Sequence, residues 1–282
     1  MRITHDGRPR GVGLATFVVL FAAWFVLTSV THTIDAGRFP SPREAWDALL
    51  QIAVTGYADA RLAAHVVQSV KLVLLGFAAA VIVGMPLGLA MGWSRAVEAF
   101  VNPVFLLIRP IPPLAWIPLA IVWLGLGDAA KVLVIWFAAF VPVVINSYSG
   151  VRSIEPHLIE AARMLGATRR MLIGEVLIPG ALPMIFTGLR LSLQACWTTL
   201  VAAELIGAIA GLGHVLYQSS LDLFPAMIVV GMIGVAVSGA AMTWLLGVIE
   251  HYVMPWRGAI MRTMAPPPGA ARGIERAGSA AA

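Results

Sequence analysis

The chain has 282 residues, of which 60% are hydrophobic and only 12% are charged, and its formal net charge is +5. Soluble domains carry about 25% charged residues, so this composition excludes an ordinary soluble protein. The basic residues lie in segments beside apolar stretches, which favours membrane orientation over nucleic-acid binding. The single cysteine, Cys196, cannot form an internal disulfide and gives no cysteine metal cluster.

Six apolar stretches are long enough, at about 20 residues each, to cross a bilayer as helices. In chain order they are residues 11–30, 72–91 with a start that could lie nearer Val66, 99–124, 132–148, a stretch within 184–209, and 226–249. The first is longer than the apolar part of a secretory signal, so it is predicted to be a retained helix. The third must be broken or kinked, because it contains Pro103, Pro110, Pro112, Pro113 and Pro118.

Lysine and arginine predict the orientation of these stretches. Six crossings place both termini on one side, which then carries twelve arginines: Arg2, Arg8, Arg10, Arg95, Arg152, Arg163, Arg169, Arg170, Arg257, Arg262, Arg272 and Arg276. The other side carries five basic residues: Arg38, Arg43, Arg61, Lys71 and Lys131. The excess assigns the first side to the cytoplasm. Residues 1–10 are then a cytoplasmic tail, 11–257 a transmembrane domain, and 258–282 a cytoplasmic tail predicted to be disordered.

Two local patterns predict finer structure within this plan. Ser41 and Glu44 fit a capping box that opens a short amphipathic helix, either lying on the outer membrane surface or docking a partner. Gly84, Gly88 and Gly92 recur every fourth residue, which predicts close helix packing.

The longest polar segment between apolar stretches is residues 150–183, on the predicted cytoplasmic side. Its first helix can end at Gly166 in a left-handed conformation. Thr168 can cap a second helix running to Leu177, after which two prolines redirect the chain into the fifth stretch. The segment is either an ordinary solvated loop or a docking surface for another protein.

This segment also carries a specific motif. Glu160-Ala161-Ala162, then Gly166, then Val176-Leu177-Ile178-Pro179 resembles the EAA loop of inner-membrane permeases of ABC importers, with Val and Ile where the pattern has Ile and Leu. In that family the loop is the coupling helix that fits a groove on the ATP-binding subunit. The resemblance therefore implies that coupling to the ATPase rests on Glu160, Ala161, Ala162, Gly166 and Pro179.

Four further segments, residues 109–119, 123–127, 182–190 and 197–206, resemble the nitrate/sulfonate/taurine branch, and the last is nearest to taurine permeases. The resemblance covers roughly residues 60–257. It implies an all-α membrane protein with six transmembrane helices and the MetI-like fold of type I ABC importer permeases. It also implies a bacterial inner-membrane homodimer that transports a small anion, a sulfonate such as taurine or nitrate. The implied partners are two ATP-binding subunits and an extracytoplasmic solute-binding protein.

The chain is not expected to be an enzyme or to bind a cofactor or metal. Its two lysines, Lys71 and Lys131, do not lie in a phosphate-binding G-x-x-x-x-G-K-[ST] loop, so ATP and Mg are expected on the partner ATPase. No pair of histidines has metal-ligand spacing, and no nucleophile–base set is present in the sequence.

Polar residues inside the stretches are candidates for the solute path. Arg109 could bind an oxyanion through its planar guanidinium, or it could anchor a helix at the interface. Glu204, which shares a helix face with Trp197, could gate the path or form a structural ion pair. Gln194 and Thr198 could line the path or bond between helices. In the alternative function, an ion-coupled secondary transporter of a small anion, Glu204 or Arg109 would be the coupling or substrate charge.

Overall fold

A computed structural model describes residues 10–30, 37, 39–205 and 207–256. The predicted disordered tail, residues 258–282, and almost all of the predicted N-terminal tail lie outside these residues. The α-helices are α1 Arg10–Phe25, α2 Pro42–Val54, α3 Leu62–Trp93, α4 Arg95–Ile108, α5 Ile117–Leu124, α6 Asp128–Arg152, α7 Pro156–Met164, α8 Arg169–Met171, α9 Ile178–Glu204, α10 Leu212–Leu221 and α11 Pro225–Val253. The all-α prediction is confirmed, since the described β-structure is one isolated bridge between Tyr57 and Ala60.

Each of the six predicted apolar stretches contains a helix. Four helices are long and apolar enough to span a membrane, namely Leu62–Trp93, Asp128–Arg152, Arg169–Glu204 and Pro225–Val253. A fifth candidate is a bent pair of helices, and a shorter apolar helix covers Val18–Val30. Helix α3, in the second stretch, begins at Leu62, ten residues before the predicted start at 72. Its first turns carry His65 and Ser69, whose polar side chains are fully buried within the protein, so the apolar pattern did not reveal them.

The third stretch is broken, as its prolines predict. Helix α4 ends at Ile108, and the segment Pro113–Leu124 leaves it at an angle of 85°. Pro103 lies inside α4, and Pro118 lies in the first turn of α5, where a missing N–H costs nothing. The break therefore comes from the prolines at 110, 112 and 113, which lie between the two helices. Helix α5 packs on α6 through a small apolar core of Ile117, Ala120, Ala130 and Val134.

The centre of the fold is formed by α3, α6 and α9. The predicted close packing at Gly84, Gly88 and Gly92 is confirmed, because each faces α6 side chains or backbone. A Cβ added to Gly88 would lie 2.6 Å from the carbonyl oxygen of Val144, so only glycine permits this approach. The same holds between α6 and α9, where a Cβ on Gly188 would lie 2.5 Å from the Cβ of Asn146.

The fifth span differs from its prediction at its start. The second helix of the polar segment does not stop at Leu177 but continues through Pro179 and Pro183 into one helix, Arg169–Glu204. Its turns from Leu172 to Leu177 are π-helical. The wider π turn relieves the clash between a proline ring and the preceding carbonyl groups, so Pro179 does not redirect the chain. The helix ends at Glu204, inside the predicted stretch 184–209 and before the positive-φ residues Gly207 and Gly211.

Helix α2 begins as predicted. The Ser41 side chain accepts a hydrogen bond from the Glu44 N–H, and the Glu44 carboxylate accepts one at 2.7 Å from the Ser41 N–H. One face of α2 packs against the first turns of α11 through Ala48, Ile52, Met227 and Val230. This packing fixes α2 across the ends of the spanning helices.

A hydrogen bond holds the turn that follows α2 against the end of α10. The Tyr57 hydroxyl donates a hydrogen bond of 2.5 Å to Asp222, at the end of α10. Burial, together with the Asp222 carboxylate, raises the pKa of Tyr57 well above its usual range, so the hydroxyl keeps its proton and remains the donor.

Candidate functional site

The first candidate site is the α7 loop, residues 153–168, which carries the Glu-Ala-Ala motif. None of the residues of α7 is buried. Three large apolar side chains on this loop are mostly exposed: Leu158 by 57%, Met164 by 87% and Leu165 by 89%. Apolar side chains grouped on an otherwise polar segment are typical of protein–protein contact sites. The exposed surface of the loop can therefore bind a partner protein.

The end of α7 has a fixed backbone geometry. The N–H groups of Gly166 and Ala167 donate to the carbonyl groups of Arg163 and Ala162, both at 3.0 Å. Gly166 has a φ of +82°, as predicted for a glycine that ends a helix. An added Cβ at Gly166 would meet no atom within 4 Å, so the requirement for glycine is conformational rather than steric.

The predicted coupling residues fall in two places. Glu160 and Ala161 are exposed on α7, Ala162 is half-buried beside them, and Gly166 follows at the exposed helix end. The Glu160 carboxylate lies 3.8 Å from His157 on the same exposed helix. Pro179 is separate, because it lies half-buried in the first turn of α9. Four of the five residues therefore lie on the α7 loop.

The base of the α7 loop is held by a cluster that the sequence analysis did not predict. Three residues separate α7 from Arg152, the last residue of α6. Arg152 forms an ion pair with Glu98 of α4, and the Tyr148 hydroxyl donates a hydrogen bond of 2.5 Å to the same carboxylate. The Arg152 guanidinium also lies 5.6 Å from the centre of the Tyr148 ring. These contacts join α6 to α4, the helix that precedes the proline break. The partners Glu98 and Tyr148 are 50 positions apart, so no local sequence pattern predicts the contact.

The predicted solute-path residues do not form one surface. Arg109 is exposed at the end of α4, directly before the proline break. Gln194 and Thr198 are exposed on one side of α9, where the Thr198 hydroxyl donates a 3.0 Å hydrogen bond to the Gln194 carbonyl group. Trp197 and Glu204, in contrast, are buried. Only the first three are accessible to a solute in this structure.

Glu204 belongs to a buried network of hydrogen bonds. Its carboxylate accepts bonds from the Ser69 hydroxyl at 2.9 Å and from the Gly213 N–H at 2.7 Å. The Ser69 oxygen in turn accepts a bond of 2.8 Å from the Leu212 N–H. The expected structural ion pair is wrong, because no Lys or Arg of the described residues lies within ion-pair distance of Glu204. The Ser69 hydroxyl and the Gly213 N–H take the place of a basic side chain as donors to this carboxylate.

His65 extends this network and fixes its own tautomer. Its Nδ1 accepts a hydrogen bond of 3.1 Å from the Gly211 N–H, so the proton must be on Nε2. Nε2 lies 3.0 Å from the carbonyl oxygen of Tyr57 and donates to it. The network therefore joins α3, the end of α9 and the start of α10. Its three bonds from α3 to the end of α9 and the start of α10 join residues more than 130 positions apart, which is why sequence patterns did not indicate it.

Most of the chain is similar in sequence to known proteins. Residues 76–256 match the family described as binding-protein-dependent transport system inner membrane component. The taurine transport system permease protein TauC of Escherichia coli (strain K12) is 36% identical over 250 residues, which cover 88% of this chain and 90% of the relative. The putative aliphatic sulfonates transport permease protein SsuC of Bacillus subtilis (strain 168) is 31% identical, with 87% of each chain covered.

A more distant relative and a solved structure extend the comparison. The nitrate import permease protein NrtB of Synechocystis is 28% identical over 84% of this chain and 86% of its own. Among solved structures, an inward-facing MetNI methionine ABC transporter superposes with a TM-score of 0.55 at 21% identity, covering 69% of this chain and 94% of its own. The solved structure supports the fold, and the family match includes the α7 loop and the proline break.

Proposed function

The chain belongs to the family of binding-protein-dependent transport inner membrane components, it is the permease subunit of an ATP-driven importer, and we propose that its solute is a sulfonate such as taurine. The main observation that supports this solute is the similarity to TauC, which extends over nearly the whole of both chains. A second sulfonate relative supports the same class of solute, and nitrate is the alternative that NrtB favours. An ion-coupled secondary transporter is disfavoured by the family match.

The α7 loop is the surface that receives the ATP-binding subunit. Its exposed Leu158, Met164 and Leu165 supply apolar contact area, and Glu160 supplies a charge on the same helix. Two ATP-binding subunits, each with its own Mg and ATP, dock on two copies of this chain. A solute-binding protein delivers the anion to the opposite face. In this arrangement the α7 loop and both termini face the cytoplasm, as the arginine distribution indicates.

The contacts at the base of the α7 loop support a route for motion from the ATPase to the membrane. When the ATP-binding subunits close, they displace α7, and the short link to Arg152 passes the displacement to α6. The Glu98–Tyr148–Arg152 cluster carries it to α4, whose far end is the 85° break. A break at this position allows α5 to tilt without unwinding α4. The exposed Arg109 at the break would then meet the anionic solute.

Reconstitution tests the proposed function. Proteoliposomes that contain the chain, its ATP-binding subunit and the solute-binding protein should accumulate taurine when ATP is present and should be indifferent to an imposed ion gradient. Uptake driven by a proton or sodium gradient without ATP would support the secondary transporter instead. Competition distinguishes the solute classes, because a second aliphatic sulfonate should reduce taurine uptake, whereas nitrate and methionine should not.

The purified chain alone should not hydrolyse ATP, because it carries no phosphate-binding loop. Phosphate release should stay at the level of an empty detergent blank and should rise only when the ATP-binding subunit is added. ATPase activity that stays with the chain through two chromatography columns would contradict the assignment of ATP hydrolysis to the partner.

Arg109 variants test the proposed solute path. Arg109→Lys keeps the charge but loses the planar fork, and Arg109→Leu loses both, so transport should fall modestly for Lys and by more than about tenfold for Leu. Basal ATPase activity of the assembled complex should be unchanged, since Arg109 is exposed and distant in sequence from the α7 loop. Failure of both variants to assemble would show that Arg109 anchors the helix, and normal transport by both would exclude any role in the path.

A further inference from the structure

An apolar groove lies on the side of the molecule formed by α1, α2, α3 and α11. Its volume is about 460 Å³, and its lining includes Phe21, Trp46, Val66, Ile233 and Val237. Several of these side chains are largely exposed, with Trp46 at 59% and Val237 at 61%. The volume falls within the range of sites that bind small molecules.

The groove follows α11 away from α2. On α11 its lining runs from Val230 to Ser238, which is about 12 Å of helix at 1.5 Å per residue. The Val230 end lies beside α2, to which that residue packs, and the Ser238 end lies further along a helix that spans the membrane. The groove therefore runs along the spanning helices from the amphipathic helix into the hydrocarbon region.

The α2 end of the groove carries charge and tryptophan. Arg43 follows the lining residue Pro42, and Arg61 precedes the lining residue Leu62. Both arginines are exposed, and neither forms an ion pair with any carboxylate of the described residues. Trp46, which lines the groove, lies on α2 three residues after Arg43, and tryptophan is enriched at membrane interfaces.

Acidic residues at this end complete the charge pattern. The Glu44 carboxylate accepts hydrogen bonds from the N–H and hydroxyl of Ser41 and, among the described residues, forms no ion pair with either arginine. Asp47 is exposed one helical turn after Arg43. The end of the groove therefore offers both positive and negative side chains.

We propose that this groove binds a zwitterionic phospholipid of the surrounding bilayer. One acyl chain lies in the apolar groove, and the phosphate lies against Arg43 and Arg61. The headgroup ammonium lies near Asp47, so each charge of the lipid meets a charge of opposite sign. A linear apolar chain is the form of ligand that fits a groove that follows the helices into the hydrocarbon. The bound lipid would fix α2 and α1 against α3 and α11, independently of which solute is transported.

Native mass spectrometry of the full-length chain in detergent tests this site. After delipidation, titration with phosphatidylethanolamine should give one retained lipid per chain, in preference to phosphatidylglycerol with the same acyl chains. Val237→Trp should abolish this retention by filling the groove. Arg43→Gln should weaken it about fivefold, from the loss of one charge at the headgroup.

Matched controls keep the test specific. Val67→Trp changes another exposed valine, adjacent in sequence to Val66 but outside the groove, and Arg95→Gln changes an exposed arginine on α4. Both should retain the lipid at the level of the unmodified chain. Lipid retention by Val237→Trp, or equal loss in both valine variants, would overturn the proposal. So would a Val237→Trp chain that loses its dimer mass instead of a lipid, because a second copy would then occupy the groove.

Discussion

Glu160→Lys and Gly166→Val should each reduce solute transport by the assembled importer more than about tenfold while leaving membrane insertion intact. Glu160 is mostly exposed on α7, so reversing its charge costs little folding free energy but opposes the charge that a docked ATP-binding subunit presents there. Gly166 has a φ of +82°, which costs an L-residue about 1–2 kcal/mol and a β-branched residue more. Valine there should turn the exposed end of α7 out of position.

The measurement is solute-stimulated ATPase activity together with uptake in proteoliposomes. Gly166→Asn is the control for the backbone, because asparagine tolerates the left-handed conformation and nothing within 4 Å opposes a side chain. Glu175→Lys is the control for charge, since Glu175 is also exposed but lies in the π-helical turn rather than on α7. Both controls should retain transport. Normal coupling in Glu160→Lys and Gly166→Val would remove the α7 loop from the docking surface.

Local rules sufficed for several features of this fold. The Ser41–Glu44 capping box, the left-handed Gly166 and the proline break after Ile108 each depend on residues within a few positions of one another. The length and apolar composition of the stretches likewise indicate contact with lipid, so the spans could be predicted from the sequence.

Long-range polar packing was not predictable in this way. The fifth span passes through Pro179 because a π turn absorbs the ring, and its end is set by the backbone beyond Glu204. The Glu98–Arg152 pair and the Ser69–Glu204 bond join residues 54 and 135 positions apart. A buried carboxylate can be satisfied by any suitable donors, so the sequence could not distinguish a cation from the Ser69 hydroxyl and the Gly213 N–H as partners of Glu204.

Glu204→Ala should destabilise the chain more than any substitution on the α7 loop. The carboxylate is fully buried, and its removal leaves the Ser69 hydroxyl and the Gly213 N–H without an acceptor. Each unsatisfied buried donor costs about 1–3 kcal/mol, so together they should lower the free energy of unfolding by roughly 3 kcal/mol. For a chain of this size that corresponds to a Tm lower by about 6–12 °C.

Glu204→Gln keeps the volume of the side chain and one acceptor oxygen, so its Tm should lie between those of Glu204→Ala and the unmodified chain. Gln194→Ala, on the exposed side of the same helix, should leave the Tm unchanged. Unfolding of the detergent-purified chain, followed by tryptophan fluorescence, measures all three. If Glu204 instead served as a gate in the path, Glu204→Ala would lose transport with an unchanged Tm. That result would remove the carboxylate from the structural network, because no packed fold leaves two buried donors unpaired without a loss of stability.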